Sequence, residues 1–351
     1  MHEPFIPAWW LPEGHSQTLW GKFFRRRHDV PWIVERIPTP DDDFLDIYRL
    51  PAPPTAPRIV LLHGLEGGPS SGFVTALADS ARRSSWGFDV VVNRGCGGEI
   101  NLAPRYYFAG DSADFSTALA HVGRTHPRSP LLLCGISLGG NALLKWLGEL
   151  GASFPRAVLA AAAVSVPFDL ARSCRRIDSG VSRIYSRNFL STMKPKALAK
   201  IEQYPGIASP EAVGHASSIW ALDDSFTSIV HGYRDAADYY ARCSSLQFLD
   251  RIRCPTLLLS ARDDPFHPPE VLDEVRQVAS VNRMLTLDFP DKGGHVGFVS
   301  GRWPWRTADY AKARVFSFLS QHSPASISEL GRESRRALAA TPCEWSSAGR
   351  P

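Results

Sequence analysis

The chain has 351 residues, 44% hydrophobic and 21% charged, with 39 Lys and Arg against 35 Asp and Glu. That balance excludes wholesale disorder, and a formal charge of +4 without a long basic tract excludes a dedicated nucleic-acid binder. What remains is a globular enzyme or binding protein, long enough for one large domain or two ordinary ones.

The N-terminal stretch through Arg27 has no continuous apolar run after a basic start and does not read as a secretory signal. The longest apolar stretch, Ala157 to Val166, is about half of what a transmembrane helix needs, so no integral membrane segment is expected. Trp9, Trp10, Trp20, Phe23 and Phe24 have two readings, packing on the core or a place at a membrane surface. Core packing is the commoner use and is favoured. The runs Arg25–Arg27 and Asp41–Asp43 read as solvated faces or turns. The six cysteines lie far apart, with no CxxC pair and no zinc spacing, which reads as reduced thiols in a cytoplasmic protein.

Residues Trp32–Leu50 read as a strand pair. From Arg58 onward, short apolar runs alternate with helical patterns. The runs are Arg58–Gly64, Phe88–Gly95, Pro130–Ser137, Ala157–Pro167, Pro255–Ala261 and Arg283–Pro290. Runs of this kind suit strands buried on both faces of a parallel sheet. Helical spacing appears at Phe73–Arg83, Leu143–Leu150, Val271–Ala279 and Ala311–Leu319. The expected class is α/β, a mostly parallel central sheet flanked by helices. Between Asp169 and Ser245 no strand run appears, and the segment reads as short helices inserted after the sixth strand. The expected layout is one domain over 1–323, with the insertion at about 169–245 as a helical lid, and a polar, flexible tail over 324–351.

Four turns carry chemistry. Gly135-Ile136-Ser137-Leu138-Gly139 is a G-x-S-x-G pattern between a strand and a helix, the context of a nucleophile elbow. His63-Gly64-Leu65-Glu66-Gly67-Gly68 ends an earlier strand, where a second oxyanion donor is built, so the candidate donors are the Leu65 and Leu138 N–H groups. After a later strand, Asp263 and Asp264 compete to orient an imidazole, and the Asp-Pro-x-x-Pro spacing favours Asp264. His295, flanked by glycines on the loop after the last strand, is the candidate general base. The order Ser137, Asp264, His295 is the hydrolase order. His231 and His267 read as surface or structural residues, and Arg94 as structural rather than substrate-binding. No nucleotide, nicotinamide or metal motif is present, and no cofactor is expected.

Together with Pro12-Glu13-Gly14-His15-Ser16-Gln17-Thr18, Asn93-Arg94-Gly95-Cys96-Gly97-Gly98, Asp238-Tyr239-Tyr240, ARDDPF at Ala261 and GGHVGF at Gly293, these motifs carry a resemblance. From about Pro7 to about Leu319 the chain resembles the α/β-hydrolase superfamily, YheT-like branch (AB hydrolase family 4). The resemblance implies a serine carboxyl-ester hydrolase with Ser137, Asp264 and His295 in the triad roles. The expected substrate is a small-molecule acyl ester of short to medium chain. An alcohol acyltransferase using the same triad and a non-catalytic hydrolase-fold binding protein are the alternatives. Tyr185, Phe189, Trp220, Phe226 and Tyr233 of the insertion either line an apolar acyl site or pack the insertion onto the core, and packing is favoured for each.

Overall fold

The computed structural model describes residues 3–323, and the polar tail expected at 324–351 lies outside them. Ten strands are present among the described residues: β1 Ile33–Pro38, β2 Phe44–Leu50, β3 Arg58–Leu62, β4 Gly87–Val92, β5 Leu131–Ile136, β6 Val158–Val164, β7 Thr256–Leu259, β8 Leu285–Asp288, β9 Val299–Trp303 and β10 Arg306–Asp309. The first eight form one sheet in the order β1-β2-β4-β3-β5-β6-β7-β8. β1, β2 and β4 pair antiparallel, and all later neighbours pair parallel. β9 and β10 form a separate hairpin.

The sheet separates two cores because successive residues of a strand face opposite sides. Val60, Leu62, Leu131, Leu133 and Leu258 face one core, which receives helices α3 Ser112–Thr125, α4 Leu138–Leu150 and α11 Glu270–Val281. Ile59, Leu61, Leu132, Cys134 and Leu257 face the other, against α2 Gly72–Arg83 and α12 Tyr310–Gln321. Every residue of β3, β4 and β5 is buried, which is why these segments read as continuous apolar runs rather than alternating ones. Aspartate side chains cap several helices: Asp111 accepts from the Asp114 N–H at 3.2 Å and Asp309 from the Lys312 N–H at 3.0 Å.

Between β6 and β7 stand the inserted helices α5 Leu170–Ile177, α6 Arg183–Gln203, α7 Pro210–His215, α8 Ile219–Leu222, α9 Ser228–Val230 and α10 Ala236–Cys243. The expectation of short helices fails for α6, which runs 21 residues through an internal Pro195. Its buried set mixes Leu190, Met193, Ala197 and Ile201 with Ser186 and Lys200, which blurs the apolar period.

An N-terminal helix, α1 Gly14–Phe23, has no counterpart in the sequence reading. The N-terminal aromatics divide. Trp10 and Trp20 meet edge-on at 4.5 Å and are partly buried. Trp9, Phe23 and Phe24 do not pack on the core: they stay 69%, 66% and 66% exposed, because α1 turns glycine and polar side chains inward instead. Among the described residues no helix is long and apolar enough to cross a membrane, and five cysteines are unpaired.

The Asp41–Asp43 run is a turn with Asp41 and Asp42 exposed and Asp43 buried. It closes on Arg94, whose side chain is fully buried and pairs with Asp43 at 2.5 Å, Asp114 at 2.6 Å and Asp41 at 2.9 Å. Asp43 also accepts from Asn101 Nδ2 and from the Leu102 and Ala103 N–H groups. Burial opposes both charges, but the hydrogen bonds outweigh it and hold the Asp43 carboxyl below the usual carboxylate range. Removing the cation strands these carboxylates. Arg94→Met is expected to lower unfolding free energy by about 3–5 kcal/mol, read as a shifted urea midpoint.

Candidate active site

Ser137 follows β5 directly and precedes the first residue of α4. Its backbone sits at φ 51° and ψ −119°, a strained conformation for a side chain with Cβ. The glycines around it are required by contact. A Cβ on Gly135 would lie 2.6 Å from Gly140 Cα, and one on Gly139 would lie 2.5 Å from the Leu62 carbonyl oxygen. The turn therefore presses against the end of β3 and projects the Ser137 hydroxyl beyond the sheet.

His295 Nε2 lies 2.9 Å from Ser137 Oγ, and its Nδ1 lies 2.8 Å from Asp264 Oδ2. Asp264 is buried, and its other oxygen accepts from the Phe266 N–H at 2.8 Å. Burial raises its carboxyl, but the charges of His295 and His267 and these hydrogen bonds outweigh it and hold the carboxyl below the usual carboxylate range. The charged carboxylate fixes the His295 tautomer: Nδ1–H donates to Asp264, and Nε2 is free to accept from Ser137. Asp263 does something else. It accepts from the Gly294 N–H at 2.9 Å, and burial raises its carboxyl. The Phe266 ring lies 3.9 Å from the imidazole at an interplanar angle of 16°. His267, expected at the surface or in a structural place, is buried beside the site, with Nε2 3.5 Å from Asp264 Oδ2. His231 is half-buried and packs on Phe108 at 4.1 Å.

Leu65 and Leu138 line the same cavity as Ser137 and His295. Among the described residues neither N–H has a protein acceptor. The Leu65 peptide is held by His63. The Asn93 N–H donates to His63 Nε2 at 3.1 Å, so the ring proton is on Nδ1, which donates to Gly64 O at 2.8 Å. Burial pushes the His63 pKa down to about 4, which keeps this neutral tautomer. With Gly64 O fixed on one side of the peptide, the Leu65 N–H points to the other.

The main supporting contacts come from outside the four chemistry-bearing turns. The His295 N–H donates to Thr18 Oγ1 at 2.8 Å, and the Val296 N–H to Ser165 Oγ at 2.9 Å. Gln17 exchanges hydrogen bonds with Val299, and Arg25 donates to the Val296 and Gly297 carbonyls at 2.7 Å each. Helix α1 thus clamps the histidine loop. Of seven non-glycine residues with positive φ among those described, five surround this site: Glu66, Ser137, Ser165, Val296 and Phe298.

Two cavities meet at Ser137 and His295. One, about 100 Å³, is walled by Leu170, Ile177, Met193, Ile219 and other largely apolar side chains of the insertion. The other, about 400 Å³, is lined by α1, the His63–Gly67 turn and the start of α2. Of the five insertion aromatics, Phe189 lines both cavities and Tyr185 the second. Trp220, Phe226 and Tyr233 line neither and pack against Tyr240, Tyr106 and Tyr239. Among the described residues no group of three His, Cys, Asp or Glu side chains could hold a metal ion.

A family described as alpha/beta hydrolase fold matches residues 57–301. The chain belongs to the α/β-hydrolase superfamily. Its place in the YheT-like branch follows from a relative in Escherichia coli (strain K12) named "Putative esterase YheT", which is 36% identical over 303 residues, 85% of this chain and 87% of that one. "Phospholipase ABHD3" of Homo sapiens is 30% identical over 323 residues, 90% of this chain and 78% of that one. Among solved structures, the esterase Pf2001 of Pyrococcus furiosus superposes with a TM-score of 0.55 at 16% identity. That match covers 92% of this chain and 99% of the other, a likeness of fold.

Thr18 lines the larger cavity, and its hydroxyl bonds only backbone groups, those of the histidine loop and of its own helix. Thr18→Val is expected to slow modification of Ser137 by a fluorophosphonate about ten- to a hundredfold. Thr18→Ser should react at nearly the original rate, as measured by probe labelling over time.

Proposed function

We propose that this hydrolase-family protein is a serine-triad carboxylic ester hydrolase acting on short- to medium-chain acyl esters. The observation that carries this reading is the unbroken hydrogen-bond series from Asp264 through His295 to Ser137, ending at an apolar cavity. Esterase and lipase names among the relatives support the reaction class.

Ser137 Oγ attacks the ester carbonyl while His295 Nε2 takes its proton, and Asp264 stabilises the imidazolium. The carbonyl oxygen becomes an oxyanion that accepts from the Leu65 and Leu138 N–H groups, each contributing about 3 kcal/mol. His295 returns the proton to the alcohol oxygen, the C–O bond breaks, and an acyl-Ser137 ester remains. Water, deprotonated by His295, attacks that ester and releases the acid. The acyl chain occupies the smaller apolar cavity, whose insertion wall acts as a lid that excludes water. We place the enzyme in the cytoplasm, the reading that its unpaired thiols support.

The second cavity favours one alternative. An alcohol bound there would intercept the acyl-enzyme and make the protein an acyltransferase. Product analysis with added alcohol separates the two, since net ester formation appears only in the transferase.

A fluorophosphonate probe should label the wild type and not Ser137→Ala. Equal labelling of the two would remove Ser137 from the mechanism. Asp264→Asn is expected to lower kcat about 10⁴-fold. Asp263→Asn should cost far less, because it loosens Gly294 and leaves the imidazole proton in place. Across a p-nitrophenyl ester series kcat/KM should peak at short to medium acyl chains. Equal cleavage of long chains would contradict the assigned size of the acyl site.

A further inference from the structure

Two segments interleave aromatic residues with cations: Lys22-Phe23-Phe24-Arg25-Arg26-Arg27 at the end of α1, and Arg302-Trp303-Pro304-Trp305-Arg306 across the β9–β10 turn. Neither contains an acidic residue. The fold joins them through the N-terminal segment. The Trp9 indole N–H donates to Arg302 O at 3.0 Å and that of Trp10 to Gly301 O at 3.2 Å. Trp10 packs on Trp20, and Trp20 stacks on Phe24 at 4.6 Å. Trp303 and Trp305 stack parallel at 5.6 Å.

The outer members of this series stay in water. Trp305 is 81% exposed, with Trp9, Phe23 and Phe24 close behind. Exposed aromatics gathered in this way mark an interaction surface. The cations around them are uncommitted. Lys22, Arg26, Arg27, Arg302 and Arg306 are exposed and make no ion pair among the described residues, whereas Arg25 turns inward to Asp309. Lys22 lies over the Phe23 ring and Arg302 over Trp303, so charge and ring are presented together.

We infer that the end of α1, the Trp9–Trp10 segment and the β9–β10 turn form a docking face for an anionic lipid bilayer surface. Tryptophan favours the headgroup boundary, where its ring is half-buried and its edge is wet, and cations alongside meet anionic headgroups. The charge complementarity is one-sided, as a phosphate-rich surface requires. Lys22, Arg25 and Arg27 also line the larger cavity at Ser137, so docking turns that opening toward the bilayer.

The test is flotation of the full-length protein with phosphatidylcholine vesicles, with and without about a quarter phosphatidylglycerol. The wild type should bind the anionic vesicles and bind the neutral ones more weakly. Raising salt from ~0.05 to ~0.5 M should release it. Trp303→Ser with Trp305→Ser should lower partitioning at least about tenfold by losing interfacial burial. Arg302→Gln with Arg306→Gln should lower it roughly fivefold per cation. Both positions are exposed, and thermal melts check that the variants fold. Failure of the folded wild type to bind anionic vesicles overturns the inference, as does equal binding by the tryptophan variant. A wild-type dimer that this variant splits into monomers, without vesicle binding by either, assigns the face to a second copy of the chain instead.

Discussion

At the end of β5 a strand and a helix approach so closely that the turn between them has no room for a Cβ two residues to either side of Ser137. Gly135 lies against Gly140, and Gly139 lies against the last carbonyls of β3. The serine between them is forced to φ 51°, at a cost on the order of 1–3 kcal/mol. The surrounding strands sustain that strain because β3, β5 and β6 pair parallel and are almost wholly buried. The same geometry raises the hydroxyl above the sheet and starts α4 at Leu138, whose N–H has no intrahelical acceptor. The proposed nucleophile, the proposed oxyanion donor and the helix start are thus one consequence of one close contact.

The imidazole is positioned by a different device. Its loop runs through Val296 and Phe298, both at positive φ, and is held by side chains from distant parts of the chain. Thr18 and Arg25 arrive from the N-terminus, Ser165 from the end of β6 and Asp263 from the end of β7. Most of these bonds terminate on backbone groups of the loop, so they fix its path rather than the tautomer of His295. The tautomer is left to Asp264. This division leaves two adjacent aspartates chemically unlike. One carboxylate, held low, faces the ring, and the other, raised by burial, ties down the glycine beside it.

What the sequence makes legible follows from how each element is buried. Strands covered on both faces appear as apolar runs, and the triad candidates are visible because each follows a strand, Ser137 and His295 among glycines and Asp264 before a proline. Helix α1 is invisible to periodicity because its buried residues are Gly14, Gln17, Thr18 and Gly21. It packs by bonding backbone groups of the histidine loop, and such contacts leave no apolar pattern. Helix α3 is different: Phe115, Ala118, Leu119 and Val122 carry helical spacing behind the Asp111 cap. The choice between Asp263 and Asp264 turns on which carboxylate reaches Nδ1. Their spacing in sequence favours one, but only the path of the loop after β7 separates them. The outward aromatics are legible as residues and not as a surface, since only the fold brings the β9–β10 turn beside α1.

The insertion is held to the sheet by charge as well as by apolar contact, and that has a consequence at the proposed oxyanion donors. Lys196 on α6 reaches both carboxylate oxygens of Glu66 at 2.9 Å. Tyr107 donates to the same carboxylate at 2.8 Å and accepts from the Glu66 N–H at 3.0 Å. Glu66, at φ 53°, is the residue immediately after Leu65. Further along α6, Lys200 donates to the Asn101 and Ala103 carbonyls, which anchors the helix to the segment that also carries Tyr107. The turn that presents the Leu65 N–H is therefore fixed from the sheet side by His63 and from the insertion side by Lys196 and Tyr107. Ion pairs of this kind are costly to bury and costly to leave half-made. Displacing α6 would leave the Glu66 carboxylate without its cation and free the turn beside the cavity. The insertion that walls the apolar cavity thus also braces the turn that carries Leu65, the proposed oxyanion donor.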